Sequence, residues 1–376
     1  MANTLKFGAS EWYGSEGNIL AYNDLGGNFK PLPFTFSRGS SATVVNKLGL
    51  IETVGANDAR VDYKDNAKGA LLLEPQRTNL ETKSNGFSTW TLVSNVTRTA
   101  DYTLSPEGVN NATRLQFTSN GFVANTTITN GTQYTVSVYA KRNDTGTQLF
   151  GFFVDGSGAV NSEMSLTSEW KRFSFTHTAT NGSYVGLAGL SGADISVYGF
   201  QLEAGSYPTS YIPTQGTAQT RLADSCSQTA PDGVIGQTEG SVFLDITRDS
   251  LESYTQRVLT LSNGTTNNVI GLQLTAANQI NFYVENGGSN QVVITKSGAT
   301  TANVSVKIGI SYKANDFVMY IDGVQVGVDT SGSVPTTSVI KYANPSSSLQ
   351  YVGLVNNFKL YNTRLSNSEL QALTTI

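Results

Sequence analysis

Apolar and polar residues alternate with a period of two along most of this chain. In "YTVSVYAK", Tyr134, Val136, Val138 and Ala140 fall on one face, with Thr135, Ser137 and Tyr139 on the other. In "KRFSFTHT", Phe173, Phe175 and His177 share a face opposite Ser174 and Thr176. The segments "GSVFLDI", "NVIGLQL", "QINFYV", "VSVKIGISY" and "DFVMYIDGVQVG" continue the pattern, separated by Gly, Asn, Ser and Thr. Such runs predict β-strands with one face buried. Asp322-Gly323, between "VMYI" and "VQV", predicts a two-residue hairpin turn, because a type I′ turn requires positive φ at both positions. The one strong helix signal is C-terminal, where Ser366 and Glu369 form a capping-box pattern ahead of Leu370 and Leu373. The expectation is an all-β chain: an irregular N-terminal attachment region followed by two antiparallel β-sandwiches of jelly-roll type. Residues 1–84, rich in Gly, Pro and Asn, are expected as an attachment and oligomerisation region, 85–224 as a first sandwich and 225–376 as a second. A polar run over 214–236 reads as the connector between the sandwiches.

One stretch breaks the alternation. Residues 59–80 read "ARVDYKDNAKGALLLEPQRTNL", with four consecutive apolar residues running into a proline. Ala70 to Leu73 are expected as a buried strand that ends at Pro75, which has no N–H to give a ladder. Glu74 and Arg77 flank that stop and are expected to pair or to cap backbone. The strand is expected to fasten the N-terminal region onto the first sandwich or a neighbouring subunit.

Composition narrows the chemistry. Of 376 residues only 14% are charged, so Ser, Thr, Asn, Gln and Gly must supply the polar surface. A formal net charge of −4 argues against nucleic acid, whose phosphates need clustered Lys and Arg. No apolar run reaches the ~18 residues that a membrane helix needs, so no membrane insertion is expected. The first residues lack the basic and apolar blocks of a secretory signal. Cys226 is the one cysteine and His177 the one histidine, which excludes an intrachain disulfide, cysteine clusters and two-histidine metal sites.

Catalytic carboxylates are not evident. A sandwich glucanase places its acids at alternating positions of one strand, so that they share a face about 5–5.5 Å apart. Asp245, Asp249 and Glu252 in "GSVFLDITRDSLE" do not keep that spacing, and Glu74 has no second acid nearby. No catalytic residue is assigned. Calcium is the metal to weigh, with Asp155, Ser157, Asn161 and Glu163 offering hard oxygens on a Gly-rich turn, although a hairpin explains Asp-Gly equally well. His177 is expected as a packed or edge histidine. Trp90 and Trp170 read as core anchors, while Trp12, Tyr13 and Trp170 are the candidates for stacking on a sugar ring.

Several segments resemble known proteins. The stretch "NFKPLPFTFSRGSSATVVNKLGLIETVGANDARVDY", followed by "GALLLEPQRTNL" and together covering residues 28–80, resembles a module of structural and fibre proteins of tailed bacteriophages and prophages. Within it Ser37-Arg38 opens "SRGSSATVVN", and Ala59-Arg60-Val61-Asp62-Tyr63 stands where the usual Pro-Arg would be. The segments "YTVSVYAK", "SEWKRFSFT" and "YGFQLEAGSYPTSYIPT" resemble carbohydrate-binding-module jelly rolls of such proteins. The C-terminal segments "VSVKIGISYKANDFVMYIDGVQVG" and "VGLVNNFKLYNTRLSNSELQAL" resemble concanavalin A-like or laminin G-like sandwiches. The resemblance implies a non-enzymatic head or tail fibre (decoration) protein at the virion surface. It also implies a homotrimer, attached to other virion proteins through its N-terminal region and touching host glycan. A depolymerase that cleaves surface polysaccharide is the alternative, and a secreted bacterial lectin or adhesin is a third reading.

Overall fold

The computed structural model describes residues 4–8, 14–15, 19–23, 29–31, 34–92, 95–119, 121–144, 148–155, 160–182, 184–248, 254–346 and 351–376. Strands dominate the described residues, arranged in antiparallel sheets with sandwich and jelly-roll character, so the all-β expectation holds. Among the described residues the one α-helix is Asn367–Thr374. Ser366 caps it, and Glu369 returns a bond to the Ser366 N–H at 2.7 Å. Asp322 and Gly323 have φ of 48° and 78°, and Ile321 pairs with Val324 across them, as the hairpin reading requires.

The chain divides into two compact units that are discontinuous in sequence. One gathers Met1–Ser41, Val54–Pro75 and Ala223–Ile376; the other gathers Ala42–Thr53 and Gln76–Leu222. The expected separate region over residues 1–84 therefore gives way to segments shared between both units. The reason is unsatisfied backbone: Thr35–Ser37 and Ala70–Leu73 gain their partners by joining the larger sheets of one unit.

In the C-terminal unit, Ser305–Lys313, Glu239–Thr247 and Gly353–Tyr361 lie side by side in an eight-stranded sheet. Ala70–Leu73 extends that sheet by pairing Gly353–Leu73 and Val355–Leu71, and Thr4–Gly8 lies along the rest of the same strand. This corrects the expectation that Ala70–Leu73 fastens onto the first sandwich or a neighbouring subunit. Its four residues are all buried, and Leu71 and Leu73 enter the core with Val242, Leu244 and Phe358. The strand does end ahead of Pro75. A seven-stranded sheet supplies the other half of this core, through residues such as Leu272, Phe282 and Ile340. It contains Thr35–Ser37 and Ser225–Thr229, which register Phe36 opposite Cys226. The run expected as a connector thus contributes a strand, with Cys226 as its inward residue.

The other unit is built on two five-stranded sheets around Trp90, Val136, Phe152, Phe200 and their neighbours. Tyr134, Val136 and Val138 face His177, Phe175 and Phe173 across one strand pair, as the alternation predicts. Gln133–Arg142 is buried on its other face too. The segment after Asp194–Ala204 packs there: the Gly205 carbonyl accepts from Thr135 Oγ1 at 2.9 Å, and Tyr211 meets Tyr198 at 5.6 Å. Gln201 and Glu203 hold that segment by accepting the N–H groups of Ile212 and Thr209, at 2.6 and 2.9 Å. The motif "GFQLEAGSYPTSYIPT" is therefore a self-clasping cover.

Candidate functional site

The strand Glu239–Thr247 has two faces. Val242, Leu244 and Ile246 enter the core, which turns Phe243, Asp245 and Thr247 to the outer side of the sheet. Ser305 and Lys307 stand beside them on the neighbouring strand. On the other side the register of Gly353–Tyr361 shifts, with Asn357 opposite Asp245 and Val355 opposite Ile246. Asn356 is the extra residue, and such a bulge re-aims a side chain. Together these side chains line a concavity of about 1000 Å³, closed at one side by the Asp65–Lys68 turn. At another edge stands the C-terminal helix. It lies close over Gly309, where a Cβ would meet Thr374 at 3.0 Å and Leu370 at 3.2 Å.

Asp245 is the centre of the polar floor. Its Oδ1 accepts from Ser305 Oγ at 2.5 Å and from Asn356 Nδ2 at 2.9 Å. Asn356 also donates to Thr247 Oγ1 at 3.0 Å, and its own oxygen accepts from Asn66 at 3.2 Å. The carboxylate is thus held in one orientation, while Oδ2 takes no hydrogen bond from the described residues. Lys307 Nζ donates to the Thr375 carbonyl at 2.7 Å, and Lys359 Nζ sits 5.3 Å from the centre of the Phe243 ring. The floor offers an oriented acceptor, amide and hydroxyl groups, and ammonium donors, a set suited to a polyhydroxyl ligand. Sequence reading dismissed Asp245 because it looked for acids spaced for hydrolysis. The usable signal was the alternation itself, which puts Phe243, Asp245 and Thr247 on the outer face.

The motif words around Glu74 have a different role. Arg60 donates to Glu74 Oε2 at 2.6 Å and also pairs with Asp224. Arg38 donates to the other Asp224 oxygen at 3.1 Å, and the Glu74 N–H donates to Asp224 at 2.9 Å. All four side chains are buried. Two cations and two anions balance in the interior, as buried charges require. Glu74 is a structural partner, and the expectation that it pairs is met. Arg77 lies over the Tyr207 ring at 5.1 Å.

The calcium candidates fare differently from expectation. Asp155, at φ 72°, accepts from His177 Nε2 at 2.7 Å, Thr180 N and Oγ1 at 2.6 and 2.7 Å, and Asn181 N at 3.1 Å. Burial pushes the carboxyl up, but the hydrogen bonds from His177, Thr180 and Asn181 outweigh it and hold it well below the usual carboxylate range. With both oxygens engaged, Asp155 pins the turn at 180–181 and is no open calcium ligand. Ser157 lies outside the described residues, as do the side chains of Asn161 and Glu163. Among the described residues no group of three or more His, Cys, Asp or Glu gathers to hold a metal. His177 stacks on Phe175 and bonds Asp155, a packed edge histidine.

Trp90 is buried between Phe87 and Phe200, with ring centres 4.9 and 4.7 Å away, as a core anchor. Trp170 is half-buried; its Nε1 donates to the Leu104 carbonyl at 3.0 Å, and Lys141 lies over its ring at 5.1 Å. That leaves it poorly placed as a sugar platform. Trp12, Tyr13, Asp249 and Glu252 lie outside the described residues. Cys226 is buried, and burial pushes its thiol well up, which keeps it protonated and inert.

No curated protein sequence matches the chain. Among solved structures, the carbohydrate-binding module of a Ruminococcus gnavus sialidase bound to α2,3-sialyllactose is 18% identical. It covers 38% of this chain and 84% of its own, with a TM-score of 0.33. Domain 4 of an extracellular arabinanase from Geobacillus stearothermophilus, in complex with arabinotriose, is 16% identical over 46% of this chain and 84% of its own, at a TM-score of 0.33. The binding domain of botulinum neurotoxin serotype D is 12% identical over 40% of each chain, at 0.34. Residues 223–371 match the family described as the concanavalin A-like lectin/glucanases superfamily, and this part of the chain, which carries the Asp245 concavity, is a concanavalin A-like domain.

Proposed function

We propose that the protein is a non-enzymatic adhesion component of a tailed-phage particle, a head or tail fibre (decoration) protein that holds glycan in the Asp245 concavity. The observation that carries the glycan reading is the floor itself: a carboxylate fixed by Ser305 and Asn356 whose other oxygen takes no hydrogen bond from the described residues, in a domain of lectin/glucanase type. The groups that bond Asp245 are a hydroxyl and an amide, which orient it as a hydrogen-bond acceptor. The particle reading is supported by the resemblance of residues 28–80 to phage structural modules. The homotrimer rests on that resemblance alone, because Thr35–Ser37 and Ala70–Leu73 find their partners within this chain.

A panel of immobilised bacterial surface glycans tests the first part. Intact protein is expected to retain at least one, and Asp245→Ala to lose it about tenfold or more, with an unchanged circular-dichroism spectrum. Retention of no glycan by the intact protein, binding by Asp245→Ala equal to that of the wild type, or release of reducing ends refutes the reading. Labelled antibody on intact phage particles tests the location, and solution mass measurement tests the trimer.

A further inference from the structure

The hydrogen bonds on the floor of the concavity run in one direction. The Lys68 N–H donates to Asn66 Oδ1 at 3.0 Å. Asn66 Nδ2 donates to the Gly69 carbonyl at 3.3 Å and to Asn356 Oδ1 at 3.2 Å. Asn356 Nδ2 in turn gives its hydrogens to Asp245 Oδ1 at 2.9 Å and to Thr247 Oγ1 at 3.0 Å. A backbone N–H only donates, while a carbonyl or carboxylate only accepts. Both amides are therefore oriented from their two ends, and neither can flip without setting donor against donor. Thr247 Oγ1 has to accept, because an amide NH2 offers no lone pair. Its own hydroxyl hydrogen is left over, and no described residue accepts it. Thr247 and Asp245 are both half-buried and both line the concavity.

Resting on the glycan reading, we infer that Thr247 donates to a saccharide oxygen beside the hydroxyl that Asp245 accepts, and that Asn66 is the positioning residue that sets both. The carboxylate supplies an acceptor, and Thr247 supplies the donor that Asp245 lacks. Two neighbouring ring hydroxyls meet that pair, one as acceptor and one as donor. Asn66 acts through Asn356: without it the Asn356 carbonyl loses its partner, and the amide is held from one end only. The turn that carries Asn66 lies outside residues 223–371, so the matched domain does not complete this site by itself.

Retention of full-length variants on immobilised lipopolysaccharide, capsular polysaccharide and peptidoglycan tests this. Thr247→Val keeps the shape of the side chain and removes the hydroxyl. It is expected to weaken retention about fivefold, the worth of one hydrogen bond, and Thr247→Ser to recover most of that loss. Asn66→Asp still accepts the Lys68 N–H but cannot donate to Asn356. It is expected to cost about fivefold, with an unchanged circular-dichroism spectrum. In an Asn356→Ala background the same substitution is expected to cost nothing further, which separates positioning from a direct effect of the new charge. If Asp245→Ala loses glycan while Thr247→Val and Asn66→Asp hold it as the wild type does, this inference is overturned and the glycan reading stands. An Asn66→Asp loss that persists in the Asn356→Ala background overturns the positioning role. Retention of none of the three glycans by the wild type overturns both readings.

Discussion

Arg60 shows how a residue flagged by a motif acquires meaning only from its partners. Its guanidinium is buried between Glu74 and Asp224, 14 and 164 residues away in sequence. "ARVDY" and "LLLEP" stand out as words, and Glu74 was legible as a pairing group. Asp224 was not, because it sits in a polar run with no periodicity to mark it inward. Arg60→Ala removes one of two buried cations and leaves Arg38 to balance both Glu74 and Asp224. The expected cost is about 3–5 kcal/mol, read from urea denaturation of the variant against wild type. A cost under 1 kcal/mol would mean that the cluster is hydrated and not interior. Asp155 makes a second prediction at this scale. Its carboxyl is held low in the folded chain, so the stability it confers is present above the unfolded carboxyl pKa of about 3.9 and is lost as pH falls below that value toward the folded one. Asp155→Asn should lower stability at pH 7 and flatten the acid limb below about pH 4. An acid limb parallel to wild type would count against this account.

Elements were legible where their causes are local. The Asp322-Gly323 turn and the Ser366–Glu369 cap depend on residues within a few positions, and both formed as the sequence predicts. Strand partners were not legible, since the apolar run Ala70–Leu73 announces burial but not which sheet buries it. Leu71→Ala is expected to cost about 2–5 kcal/mol, because Leu71 is fully buried in the C-terminal core and a cavity would replace its side chain. If the strand belonged to the other sandwich, its loss would destabilise that unit instead. Trp90 and Trp170 both belong to that other unit, so tryptophan fluorescence reports its unfolding. Ser366→Ala tests the cap, with an expected loss of about 1 kcal/mol confined to the helix end.

At the scale of the whole molecule, the chain passes between its two units four times, at residues 41–42, 53–54, 75–76 and 222–223. The crossing at 222–223 falls inside the polar run 214–236 and the one at 75–76 falls at Pro75, whereas nothing of that kind marks 41–42 and 53–54, so a reading by turns and prolines finds the later crossings and misses the excursion through 42–53. The consequence can be tested with fragments. Residues 225–376, the second sandwich as the sequence suggests it, lack Thr35–Ser37 and Ala70–Leu73. Both sheets would lose strands, Ser225–Thr229 and Gly353–Tyr361 would each expose an unpaired edge, and the places of Phe36, Leu71 and Leu73 in the core would stand empty. Bare edges over an incomplete apolar core favour association between copies. That fragment is expected to aggregate or to unfold without a cooperative transition. Residues 76–222 lose only Ala42–Thr53, whose Ala42–Val45 and Ile51–Val54 strands pair with each other outside the two five-stranded sheets. This fragment is expected to fold, with dispersed amide resonances and a cooperative thermal transition. Should 225–376 instead fold cooperatively alone, the N-terminal strands would be ornaments on a complete sandwich, and the motif words that carry them would need a different physical reason to exist.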